Sequence, residues 1–414
     1  MGRKSREKKE RRMLRNKPIF HMAIGAAPVT KFSFSDKVSQ KVSLENETKL
    51  VKAALLYSDK VTLYSMATSM LALLLGLKTL TTRQKLDFLG TLAPQLVKES
   101  EREALQQNLP LIFQMMDNRD KLTTEQLLFL INFESQIETL WQPAMAKFEQ
   151  FAEDAGVSEI DAALKTGILN VHMLGLKRDE TLKYARMDDI ISGKKQDSML
   201  LEYVNEITKI VIDGDAYPLF DDMTGNLIGN MIKEERINVS ESRALRGKHS
   251  ILAKNLLEKL PLFDKASIDE IMDIRSELDK PLVNFRQAII GFAGDIKTVA
   301  WDKDFPVEAD QVFYQKVAPT ILELEERVKQ TKSLSNFVAR LASRPSASGG
   351  TLSVLISQAL ALPSLASTAL TLGGLVSAGA TSVLEYREII KERREIEQNQ
   401  LFFYYRAEKL LANE

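Results

Sequence analysis

From Thr81 to about Arg344, apolar residues recur at spacings of three and four, the signature of helices that bury one face, and this pattern predicts helix almost throughout. Four starts are marked by a hydroxyl residue followed three positions later by an acid or amide, in the manner of a capping box: Thr81 to Gln84, Thr123 to Gln126, Ser158 to Asp161 and Ser267 to Glu270. After the second start, Leu127, Leu128, Leu130 and Ile131 form one apolar stripe that must pack on a neighbour. Helix breaks are expected near Pro110, Pro143, Gly193, Asp213 to Pro218, Pro261, Pro281 and Pro306. No signature recurs at a period of roughly 30 to 45 residues, so a solenoid has no support.

The pattern changes upstream of Thr81. Lys31 to Ser35 and Lys60 to Ser65 alternate polar with aromatic or β-branched residues, as half-buried strands do, and predict a small sheet between about Lys31 and Ser65. Between them an amphipathic run opens after Ser43, a candidate N-cap, and continues to Leu56. Val61 to Leu77 is uncharged but only 17 residues long and holds Thr62, Ser65, Thr68 and Ser69, which fits a strand leading into a core helix better than a membrane span.

Downstream the change is sharper. Pro345 to Leu384 contains no charged side chain, in a chain of which 27% is charged. Forty such residues must be covered by protein or lipid, because a solvated helix carries a charged face. Pro363 divides the region into Thr351 to Leu362, about 18 Å long as a helix, and Ser364 to Leu384, about 31 Å, and only the second matches a bilayer core of about 30 Å. That second part has five leucines and two valines against four serines, three threonines, three glycines and four alanines, so its insertion energy is near neutral. Ala369, Gly373, Ser377 and Thr381 give it a small-residue face for close helix packing. Basic residues flank the region on both sides, which suits a hairpin with both ends on one face of a membrane. Beyond it, Glu385 to Gln400 reads as a charged helix, and Phe402, Phe403, Tyr404 and Tyr405 as aromatics suited to a membrane or protein interface.

Composition fits this outline. With 414 residues, 44% hydrophobic and only 31 of them Gly or Pro, the chain is long enough for two or three structural units and reads as mainly α. The absence of cysteine excludes disulfides, thiolate metal sites and cysteine nucleophiles, and is compatible with a cytoplasmic protein, peripheral to a membrane or conditionally inserted in one. The 56 basic and 56 acidic residues cancel, so charge asymmetry is local. Met1 to Lys17 carries nine basic and two acidic residues, and has neither the apolar stretch of a secretory signal nor a myristoylation pattern. This tail reads as a disordered solubilising arm. Its functional alternative is contact of Arg3, Lys4, Arg6, Lys8, Lys9, Arg11 and Arg12 with an anionic membrane surface or, through this tail alone, with nucleic acid.

Recognisable chemistry is sparse. Ser192 to Lys195 lacks the glycine and hydroxyl residue of a P-loop, and there is no dinucleotide fingerprint, zinc-protease helix or nucleophile elbow. His21, His172 and His249 have no metal-ligand spacing, and His172, among apolar neighbours, reads as a buried, hydrogen-bonded core histidine. Asp213, Asp215, Asp221 and Asp222 are the one candidate set for Mg²⁺ or Ca²⁺, although Tyr217 breaks the EF-hand spacing and turn chemistry explains the same residues.

The expected organisation is a basic tail (1–17), a mainly helical domain with a small β element (18–344), an uncharged hairpin (345–384) and a charged C-terminal helix with its aromatic patch (385–414). The expected function is that of a non-enzymatic helical protein whose hairpin associates conditionally with membranes, with no cofactor and with a protein partner or self-assembly. A soluble interaction scaffold is the alternative, and a metal-dependent enzyme using the Asp213 to Asp222 loop ranks third.

Overall fold

The computed structural model describes residues 20–27, 43–76, 78, 80–86, 99–174, 196–342 and 391–412. The chain is mainly α, with four short strands: β1 (His21–Ala26), β2 (Lys60–Ser65), β3 (Leu169–His172) and β4 (Tyr217–Phe220). They form one sheet in the order β3-β2-β1-β4, with every neighbouring pair parallel. Ile24 of β1 lies level with Leu63 of β2 and Leu219 of β4.

Parallel strands need helical crossovers, and the first is α1 (Glu45–Tyr57), which is buried from Leu50 to Tyr57 without interruption. A helix covered on all sides sits inside the molecule, and each fully buried leucine there contributes about 1.5 to 3 kcal/mol. β2 runs directly into α2 (Met66–Gly76). The chain then passes through α3 (Glu99–Asp117), α4 (Thr124–Asp154) and α5 (Val157–Lys165) before reaching β3, and α6 (Gln196–Ile212) leads into β4. After β4 come α7 (Asp222–Lys233) and α8 (Glu241–Leu257).

The sheet differs from the sequence expectation in three of its strands. Lys60–Ser65 is a strand as expected, whereas the expected strand at 31–35 lies outside the described residues. β1 was not predicted because His-Met-Ala-Ile-Gly-Ala has no alternation: Met22 to Ala26 are all buried, since a central parallel strand is covered on both faces. β3 falls where helix was expected and β4 within the expected break and acidic loop, and four residues are too few for either period to show. Pro218 is tolerated in β4 because that strand is at the sheet edge. His172 accordingly ends a strand, half-buried and stacked on Tyr64 at 4.7 Å, and is not a core histidine.

Helix starts follow local chemistry closely. Thr123 and Gln126 form a full capping box, and Thr81 with Gln84 and Ser267 with Glu270 exchange the same reciprocal bonds. Ser158 is instead inside the first turn of α5, which starts after Gly156 at φ 92°. Pro110 and Pro143 do not break their helices; α3 and α4 run through both, each without the backbone N–H that proline lacks.

Packing divides the chain into two units. The first comprises residues up to Lys254 with Ser267–Met272 and Val299–Lys303, and holds the sheet. Trp301, at φ 64°, wedges against Gly229 and Gly247 of this unit, and any Cβ at either glycine would meet it at 2.8 Å. The second unit comprises 255–266, 273–298 and 304–414. α9 (Ile268–Glu277) begins in the first unit and ends in the second, which also holds α10 (Asp279–Ala293), α11 (Phe305–Val312), a π-helical turn (Phe313–Val317), α12 (Ala318–Ala342) and α13 (Phe402–Leu411). Its core includes Phe285, stacked on Phe403 at 5.0 Å, with Leu282, Ile289 and Phe305.

Candidate functional site

Strand order reverses at β1: the chain moves outward from β1 through β2 to β3, and β4 is then added on the other side. In parallel α/β sheets the loops leaving such neighbouring strands part company, and the crevice at their carboxyl ends is where ligands bind. In this protein that edge is formed by the ends of β1 (Gly25, Ala26, Ala27), β2 (Ser65) and β4 (Phe220, Asp221), together with the first turn of α1.

Asp221 holds β1 and β4 together beyond their strand pairing. It is the N-cap of α7, with Oδ1 accepting from the Thr224 N–H at 2.8 Å. Oδ2 accepts from the Ala27 N–H at 2.9 Å, and the Asp221 N–H donates to the Gly25 carbonyl at 3.0 Å. Gly25 has to be glycine for steric reasons, because a Cβ there would lie 2.8 Å from the Phe220 ring and 3.2 Å from Ile207.

Glu47, in the first turn of α1, is only 3% exposed. Its Oε1 accepts from the Ser65 hydroxyl at 2.8 Å, and Ser65 Oγ in turn accepts from the Thr68 N–H at 3.1 Å, capping α2. The Ser69 hydroxyl donates to the Ser65 carbonyl at 2.8 Å and accepts from the Leu174 N–H at 3.1 Å, tying the ends of β2 and β3 together. Tyr203 of α6 shares a 2.5 Å hydrogen bond with Thr224, and both are buried. The Thr68 hydroxyl is buried and has no hydrogen-bond partner among the described residues.

Burial pushes the Glu47 carboxyl above its usual range, and the nearby charge of Asp221 adds to this while the Ser65 hydrogen bond acts against it. The Tyr203 phenol is also pushed up, chiefly by burial, with the charges of Asp221 and Glu47 adding. Neither carboxylate is ion-paired to a lysine or arginine among the described residues. Among the described residues the edge is therefore rich in acceptors and has no basic side chain paired to either carboxylate.

The candidate residues read from the sequence are placed otherwise. Asp213 and Asp215 are exposed at the amino end of β4, where Arg246 bonds the Asp215 carbonyl at 3.0 Å. Asp221 and Asp222 follow its carboxyl end. A four-residue strand, about 13 Å long, separates the two pairs, so the four aspartates do not converge on one ion. Among the described residues no three His, Cys, Asp or Glu side chains could hold a metal ion together. Of the expected interface aromatics, Phe403, Tyr404 and Tyr405 are buried in the second unit and Phe402 is half-buried. They form core where a surface patch was expected; the Phe285 ring contacts those of Phe403 and Tyr404, and burial pushes the Tyr404 phenol up. Ala369, Gly373, Ser377 and Thr381, and the basic residues Arg3, Lys4, Arg6, Lys8, Lys9, Arg11 and Arg12, lie outside the described residues. Among those described, no helix is long and apolar enough to cross a membrane.

Glu47, Ser65, Thr68, Tyr203 and Thr224 were not singled out as site residues from the sequence. Their one local signal was a glutamate leading into the apolar run Leu50 to Tyr57. No protein-family model matches the chain, and no curated protein or solved structure matches it.

Proposed function

We propose that the first unit is a ligand-recognition module that binds a small polar molecule at the carboxyl edge of its sheet. The observation that carries this reading is the reversal of strand order at β1, directly beside the buried Glu47 and the half-buried Asp221. The full chain is to be melted in the presence of a panel of nucleosides, amines, amino acids and sugars, as wild type, Glu47→Gln and His249→Phe. The reading expects a ligand that raises the melting temperature of wild type and His249→Phe but not of Glu47→Gln. A panel in which every stabilising ligand acts equally on Glu47→Gln removes the support.

A second reading has its own observation, the forty uncharged residues from Pro345 to Leu384. Conditional membrane association of this segment, close-packed along Ala369, Gly373, Ser377 and Thr381, makes the protein a non-enzymatic effector. A soluble scaffold with the segment packed on protein is its rival, and liposome flotation separates the two. The double variant Gly373→Leu with Ser377→Leu is expected to float as well as wild type yet lose dye release. A wild type that never floats leaves the scaffold.

A further inference from the structure

The proposed site also constrains the chemistry of its ligand, and this step rests on the reading of the carboxyl edge as a binding site. Glu47 and Asp221 meet at one edge, since Ser65, whose hydroxyl bonds Glu47, is level with Ala26 of β1 and the next residue, Ala27, bonds Asp221, and neither carboxylate is ion-paired to a basic residue among those described. Both accept hydrogen bonds: Asp221 from two backbone N–H groups, and Glu47 from one hydroxyl and its own N–H. Each carboxylate oxygen has two lone pairs, so acceptor capacity remains at both. A second, independent observation is Thr68. This residue is 7% exposed, belongs to the turn capped by Ser65 Oγ, the same oxygen that bonds Glu47, and its hydroxyl has no partner among the described residues. A buried hydroxyl without a partner costs about as much as a lost hydrogen bond, and a bound ligand removes that cost.

A divalent metal ion fits this set poorly, because it wants six or more oxygen ligands and no three acidic or imidazole side chains converge here among the described residues. A primary ammonium group fits better. It has three N–H donors and one positive charge, matching two carboxylates and one unpaired hydroxyl.

We propose that the carboxyl edge receives the primary ammonium group of a small organic cation, held between Glu47, Asp221 and Thr68. Glu47 supplies charge, Asp221 supplies charge from a fixed helix cap, and Thr68 supplies the third acceptor. Uptake of the cation favours the ionised form of Glu47, so binding releases protons and tightens as pH rises.

The test is calorimetric titration of the full chain with putrescine, with choline as a cation lacking N–H donors and Mg²⁺ as a metal probe, repeated on Glu47→Gln and Thr68→Val. Glu47→Gln keeps an acceptor for Ser65 and removes only the charge, so its fold is expected to survive, and a thermal melt verifies this. The expected result is putrescine binding that weakens at least tenfold in Glu47→Gln and measurably in Thr68→Val, with no comparable binding of choline or Mg²⁺. Equal putrescine affinity in wild type and Glu47→Gln overturns the proposal. So does a Glu47-dependent response to Mg²⁺ or to a neutral nucleoside without one to putrescine, in which case the ligand class falls and the binding edge stands. If neither putrescine nor any panel ligand shows dependence on Glu47, both fall. A marked loss of stability on neutralising Lys31, Lys37 or Lys41 also counts against the proposal, because the chain's own lysine then fills the place assigned to the ligand.

Discussion

The two edges of the sheet treat buried polarity in opposite ways. At the carboxyl edge Glu47, Ser65, Asp221, Tyr203 and Thr224 are bonded to one another and to backbone N–H groups. At the amino edge His249 is 6% exposed and stacks on Tyr217 at 6.1 Å, yet neither of its ring nitrogens has a hydrogen-bond partner among the described residues. One edge is a network of acceptors with charge to spare, and the other holds a neutral imidazole in an aromatic stack with Tyr217 and Phe20. Burial is thus common to both edges. What separates them is the supply of partners, so removing the bonded Asp221 carboxylate is expected to destabilise the first edge and removing the unpartnered His249 imidazole to stabilise the second.

The largest effect is expected from Asp221→Ala, which removes the α7 cap and strands the Ala27 N–H. A lost cap costs about 0.5 to 2 kcal/mol and an unsatisfied buried donor about 1 to 3 kcal/mol, so urea unfolding should show a loss of roughly 2 to 4 kcal/mol. A loss below about 1 kcal/mol would mean that the staple between β1 and β4 contributes little.

Next in size is the pH response of His249. Burial lowers its pKa from 6.5 to about 4, so the folded state disfavours the proton that the unfolded chain takes up. Its contribution is fully present above pH 6.5 and is lost as pH falls from 6.5 towards 4, a loss of up to about 3 kcal/mol at about 1.4 kcal/mol per pH unit. His249→Phe keeps the stack on Tyr217, abolishes this dependence and raises stability at pH 7 by about 1 kcal/mol by deleting two unpartnered nitrogens. Stability measured from pH 7 to pH 4 in both proteins checks it, and parallel curves count against it.

Glu47→Gln gives the smallest change and one of opposite sign in pH. The folded carboxyl has a raised pKa, so its contribution is present below the unfolded value of 4.5 and is lost as pH rises through the folded value. The variant has no such loss and is expected to be as stable as wild type at pH 7 or slightly more so, with the difference vanishing below pH 4.5. A variant clearly less stable at pH 7 means that ionised Glu47 holds the edge together.

The contrast between the edges also explains which features could be read from the sequence. Helix starts at Thr123 and Ser267 depend on residues three apart and were visible. β2 alternates polar and apolar residues enough to be recognised, although only Lys60 is exposed, but β1, buried from Met22 to Ala26, carries no period. The carboxyl edge draws on residues from Glu47 to Thr224, which only the parallel crossovers bring together, so no spacing announces it. The four aspartates, by contrast, looked like a site because they are close in sequence, and β4 separates them. The aromatic run Phe402 to Tyr405 misled in the same way: four consecutive aromatics suggested a surface, yet α13 turns three of them into the core.

Hydrogen exchange of the full chain, with and without the panel ligand that most raises its melting temperature, tests the assignment of the carboxyl edge most directly. The account predicts added protection at residues 24–27, 65–69 and 221–225, and none at 57–61 or 246–250. Protection confined to the amino edge or to the second unit, with the carboxyl edge unchanged, would contradict it.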